Sequence, residues 1–122
     1  MNSEGNKAAK KARRGAVSTS DKRDAVAFEV AEIMEHASEP GAYQFTSYND
    51  ERVGLIHACP CGCGQIGALY WKNPRKGGAN WTVSGEWPRV TLRPSIGFWG
   101  QNSREQGHHW HGYLTDGVFK EI

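Results

Sequence analysis

"RVGLIHACPCGCGQIGALYW", residues 52–71, sets two short apolar runs on either side of a loop that holds all three cysteines of the chain. The flanking runs RVGLIHA (52–58) and IGALYW (66–71) are rich in β-branched, aliphatic and aromatic residues, the composition of strands. Side chains alternate along a strand, so Val53, Leu55, His57 and Cys59 fall on one side, and Pro60 then turns the chain into CGCG. Gly62 and Gly64 supply backbone angles that other residues seldom adopt, which lets amides point at sulfur.

The cysteine count decides against several chemistries. An odd number of cysteines within five positions would close only tiny, strained disulfide loops. A redox pair would read Cys-x-x-Cys at the start of a helix, and neither feature is present. A catalytic thiol with His57 as its base fits the types but needs no companion thiols. Metal binding employs all three cysteines, and a tetrahedral site asks for a further donor. GHHWHGYLTDG, residues 107–117, offers one, with His108, His109 and His111 in a chain that has five histidines. Strand alternation groups His109 with His111, whereas a turn ahead of the strand would bring His108 and His111 together. The candidate ligands are therefore Cys59, Cys61, Cys63, His57, His108, His109 and His111, and thiolates mixed with imidazoles select Zn2+ ahead of iron. Seven candidates exceed what a closed structural site or an open catalytic site requires, so both remain open.

Outward from this loop the strand texture continues. AYQFTSY (42–48), NWTVSG (80–85), RVTLRPSI (89–96), HWHGYL (109–114) and VFKEI (118–122) read as strands, with an Asp-Gly hairpin turn at 115–117. NPRKGGAN (73–80) and GQNSREQG (100–107) read as loops. In DKRDAVAFEVAEIMEHAS (21–38), Val26, Val30, Ile33, Met34 and Ala37 recur at three and four positions, the stripe of an amphipathic helix capped by Ser20 and ended at Glu39-Pro40-Gly41. His36 near its end is expected to be structural or on the surface rather than a ligand. The five tryptophans are expected in the core. The fold class expected is α+β, mainly antiparallel β, with one N-terminal helix on a compact sheet or partly closed barrel stabilised by metal.

The chain has 122 residues, enough for one domain, and a net charge of +2. Residues 1–24 carry seven basic side chains against three acidic ones, and residues 25–122 carry eight against ten. Residues 1–20 lack aromatic side chains and read as a disordered basic tail ahead of a single domain over 21–122. No apolar run reaches membrane-helix length, and no secretory signal pattern follows the first basic residues, so no membrane association and a cytoplasmic location are expected.

HACPCGCG (57–64), VTLRPSIGFW (90–99) and HWHGYLTDG (109–117) together resemble a family of small bacterial and phage proteins of unknown function, across roughly residues 42–120. The resemblance implies zinc binding and, for some members, a place in ubiquitin-like conjugation gene clusters with a peptidase or accessory role. In that pattern a late Cys-x-x-His pair recurs, so His108 would replace the cysteine and His111 would be the histidine.

Three functions follow as expectations. The first is a zinc-stabilised module that engages a protein partner. The second is a zinc-dependent, peptidase-like hydrolase, with a metal-bound water near Ser95, Glu86 or Asp116, and with Arg93 and Ser95 in a turn after a strand. The third is a nucleic-acid binder acting through the basic residues of 1–24. Whether the protein is an enzyme is left open by the sequence.

Overall fold

A computed structural model describes residues 16–19, 22–98 and 110–122, with side chains from residue 22 onward. Strands dominate: β1 (Ala16–Thr19), β2 (Lys22–Val26), β3 (Phe28–Glu29), β4 (Ala42–Tyr48), β5 (Glu51–Ala58), β6 (Ile66–Tyr70), β7 (Thr82–Glu86), β8 (Arg89–Phe98), β9 (Trp110–Thr115) and β10 (Val118–Glu121). They form a six-stranded sheet, ordered β1-β2-β10-β9-β8-β7, and a four-stranded sheet, ordered β3-β4-β5-β6. Pairing is antiparallel except between β3 and β4, which run parallel. The sheets stack face to face without closing into a barrel.

Tight turns make the hairpins. Asn49 and Asp50 take left-handed angles between β4 and β5, and Asp116 and Gly117 do so between β9 and β10, as two-residue hairpin loops require. The second of these is the Asp-Gly turn expected from the sequence. Between the sheets, Val90, Leu92, Ile96, Phe98, Trp110, Leu114 and Phe119 meet Tyr43, Leu55, Cys59 and Leu69 in one core. His57 lies in the same layer, stacked on Phe119 at 4.9 Å between ring centroids and edge-on to Phe98 at 5.0 Å. Trp110 is fully enclosed, while Trp71, Trp81 and Trp87 pack against the core from its margin. Trp99 lies outside the described residues.

The expected N-terminal helix is not found among the described residues. Residues 22–29 form β2 and β3 instead, and only a single 3-10 turn, Ile33–Glu35, is helical in that stretch. The side chains obey a period of two where they enter the sheets: Ala25 and Ala27 are buried, and Val26 between them is exposed. Main-chain bonds from Ala27 N–H to the Gly117 carbonyl (2.8 Å), from Phe28 N–H to that of Gly41 (2.9 Å) and from Val30 N–H to that of Tyr43 (2.8 Å) tie the segment to both sheets. Val30 and Ile33 then cover Ala42 and Ala58 on the outer face of the four-stranded sheet. An isolated helix of this length is marginal in water, whereas two sheet edges supply ready ladders. Ser20, the expected cap, and residues 1–15 lie outside the described residues. His36 pairs with Glu39 at 3.0 Å, a structural role. Among the described residues no helix is long and apolar enough to cross a membrane.

Phe119→Ala is expected to lower unfolding free energy in urea by about 3–5 kcal/mol, through lost contacts and a cavity. Met34→Ala should change it by no more than about 0.5 kcal/mol, because Met34 is 70% exposed rather than part of a buried helical stripe.

Candidate active site and metal centre

Cys59 leaves the end of β5 inside the core, Cys61 is half-buried and Cys63 is exposed, and all three are free thiols. The loop closes through Cys59 N–H to the Gln65 carbonyl (2.8 Å) and Gly62 N–H to the Cys59 carbonyl (2.9 Å). Gly62 and Gly64 adopt φ of 87° and 99°, the left-handed angles that fold CGCG back on itself. Cys59 and Cys61 sulfurs stand 3.4 Å apart, and Gln65 N–H donates to the Cys63 sulfur at 3.4 Å. Burial pushes the Cys59 and Cys61 thiols up from their ordinary range, so neither is an activated nucleophile by itself.

The donor set fits a metal ion. All three sulfurs lie within 4.8 Å of one another, and ligands on a tetrahedral zinc with bonds of about 2.3 Å would be spaced by about 3.8 Å. Three cysteines can therefore supply three corners of one coordination sphere. Arg23 stands beside this cluster: the hydrogen bonds it donates to the Glu121 carboxylate (2.6 and 3.2 Å) raise it above its usual range, partial desolvation opposes the rise, and charge on Cys61 and Cys59 adds to it.

The histidines named from sequence occupy different places. His57 is enclosed by Phe98 and Phe119, its Nδ1 lies 3.1 Å from the Ala58 carbonyl, and burial pushes its pKa down to about 4. Its imidazole is not among the mutually close donors formed by the three sulfurs. His108 and His109 lie outside the described residues. His111 sits on β9, and its Nε2 is 2.9 Å from Ser95 Oγ on β8.

His111 stands opposite Gly97, so Ser95 is its diagonal neighbour, and a register slip begins beside that pair. Opposite Ile96 stands Gly112 and opposite Leu92 stands Leu114, so β8 spends four steps where β9 spends two. The extra residues around Arg93–Ser95 form a bulge inside β8, not the turn after a strand expected from the sequence. A cis peptide joins Arg93 to Pro94. The Trp81 indole N–H donates to the Pro94 and Ser95 carbonyls (3.1 and 3.2 Å), and Arg93 donates to the Leu92 carbonyl (2.8 Å) and Thr115 Oγ1 (3.1 Å). The bulge is thus held from both neighbouring strands, with Ser95 and His111 both half-buried. A hydroxyl within hydrogen-bond reach of an imidazole is the arrangement of an activated serine. With its proton on Nδ1, His111 accepts the Ser95 hydroxyl hydrogen at Nε2.

The other two acids weighed from sequence lie elsewhere. Glu86 ends β7, paired across the hairpin with Arg89, and Asp116 sits in the β9–β10 turn. Arg89 hydrogen-bonds Asp116 at 3.0 and 3.2 Å and holds its carboxyl below the usual range.

The family model described as "Bacterial ubiquitination-like system serine protease (BubE)" matches residues 29–122. The chain belongs to the BubE family. The matched span contains the cysteine loop, Ser95 and His111, and leaves the basic N-terminal residues outside. Searches of curated proteins and of solved structures return no match. The BubE description agrees with the link to ubiquitin-like conjugation clusters implied by the motifs, and it directs attention to a serine. Sequence reasoning placed Ser95 beside a metal-bound water and assigned His111 to the metal. The signal for their pairing was that PSI and HWHG lie on consecutive strands.

Metal content by mass spectrometry separates the two roles of His111. The wild type is expected to carry a metal ion, Cys61→Ser to lose it and His111→Ala to retain it. Loss in both variants would place His111 among the ligands.

Proposed function

We propose that this BubE-family chain is a serine peptidase of a bacterial ubiquitination-like system, with Ser95 as nucleophile and His111 as its general base. The observation that carries this reading is the 2.9 Å contact between Ser95 Oγ and His111 Nε2 at a pinned, solvent-reachable bulge. Ser95 Oγ attacks the scissile carbonyl carbon while its proton passes to His111 Nε2. The carbon–nitrogen bond then breaks, the proton moves from His111 to the departing amine, and an ester remains on Ser95. Water gives a proton to His111, attacks the ester and releases the carboxylate, and the proton returns to Ser95. The bond cleaved is a peptide or isopeptide bond of a ubiquitin-like conjugate, which makes that conjugate the protein partner.

Cys59, Cys61 and Cys63 would hold a zinc ion whose contribution is structural: it balances thiolate charge and ties the loop to the end of β5. Burial raises the Cys59 and Cys61 thiols, which argues against a nucleophilic role, and the clustering of the three sulfurs supports a liganded one.

Reaction with a small fluorophosphonate, followed by intact mass, tests the nucleophile. The wild type should gain one adduct that maps to Ser95, Ser95→Ala should gain none, and His111→Ala should react about 10²–10⁴-fold more slowly. Labelling that persists in Ser95→Ala would contradict the assignment.

A further inference from the structure

Among the described residues, β6 is the last strand of its sheet, and β7 pairs with β8 only as far as Arg93. Among the described residues, Pro94–Phe98 has no strand on that side. Between β6 and this stretch lies a cavity of about 330 Å3, bordered by Ile66, Gly67, Ala68, Trp81, Gly97 and Phe98. It begins at Ile96, one residue beyond Ser95 on the same strand.

The direction of the β6 main chain follows from its ladder. The Gln65 carbonyl and Trp71 N–H bond to β5, while the Tyr70 carbonyl faces the other way and accepts from Trp81 N–H. In an antiparallel pair, residues bonded to the partner alternate with residues whose N–H and C=O point away. Ile66 and Ala68, in phase with Tyr70, therefore turn their main-chain groups outward along the cavity. Trp81 closes the far end: its N–H holds the Tyr70 carbonyl (2.7 Å) and its indole holds the Ser95 carbonyl (3.2 Å). A strand edge with outward main-chain groups two residues apart thus leads to the residue that carries the hydroxyl.

We propose that the outer edge of β6 is the substrate-docking strand, on which an extended polypeptide segment pairs with the main chain of Ile66 and Ala68 and brings its scissile carbonyl to Ser95. The proposal rests on Ser95 being the nucleophile. An extended chain is the occupant because its own N–H and C=O groups repeat at the two-residue spacing that this edge presents. Gly67 and Gly97 add no side chains to the cleft, which admits a backbone. The Phe98 ring lies so close over Gly67 that a Cβ there would be 3.0 Å from it, so the floor is flat and already filled. Recognition then depends on the peptide backbone and on small side chains toward the floor.

Two phosphonates that react with serine provide the test: the small fluorophosphonate, and a pool of tetrapeptidyl phosphonates with randomised side chains. In the wild type the pool should react at least roughly tenfold faster, the equivalent of one or two main-chain hydrogen bonds. Ala68→Pro removes an N–H that faces away from β5, so the ladder survives and reaction with the small probe should be unchanged. The advantage of the peptide pool should disappear in that variant, and also when alternate residues of the pool are N-methylated and offered to the wild type. Equal rates for both probes in the wild type, or an advantage that survives N-methylation at every position, would overturn the docking strand while leaving Ser95 in place. A wild type inert to the small probe would remove the nucleophile and the docking strand with it.

Discussion

The two sheets are joined at one end by a buried imidazole. His57 lies flat on Phe119 and edge-on to Phe98, so a residue of β5 is fixed against both β10 and β8. Burial pushes its pKa down to about 4, which keeps the ring neutral at ordinary pH and lets it serve as an aromatic packing element. Two residues later the chain enters the cysteine loop, and three residues before Phe98 stands Ser95. Thiols and hydroxyl thus take their positions from the same inter-sheet contact.

From that anchor, β8 does the remaining work. His111 stands opposite Gly97 on β8, so Ser95 two residues along is its diagonal neighbour, a separation that an imidazole ring can span. The extra residues of β8 fall around Pro94, and the Trp81 indole and the Arg93 guanidinium satisfy the carbonyls and side-chain oxygen around the bulge. Placement of a side chain by an irregularity in an otherwise regular strand is a recurrent way of building a site on a rigid sheet. The cysteine loop relies on different means, two left-handed glycines and a short hydrogen-bonded return. Its three sulfurs stay within one coordination sphere of each other without any histidine having to move.

Much of the β architecture was legible because period-two patterning and turn residues are local. The β4 run AYQFTSY coincides with Ala42–Tyr48, and the Asp-Gly turn falls between Thr115 and Val118. The segment around Val26 and Val30 misled because its apolar spacing also suits a helix, and only the sheet edges of β4 and β10, contributed by residues far along the chain, decide for strand pairing. The cysteine cluster was legible for the same local reason. The partnership of Ser95 with His111 was not, since it depends on the register between two strands and on no spacing within either. The position of His57 in the core also follows from partners on the opposite sheet.

The state of the His111 ring distinguishes a base for Ser95 from a metal ligand. The most direct measurement is the 15N imidazole spectrum of His111 in metal-loaded protein, recorded for the wild type and for Ser95→Ala. The account predicts a neutral ring with its proton on Nδ1, an Nε2 that accepts a hydrogen bond, and an Nε2 resonance that shifts when the Ser95 hydroxyl is removed. An Nε2 resonance displaced by metal coordination and unchanged in Ser95→Ala would contradict it.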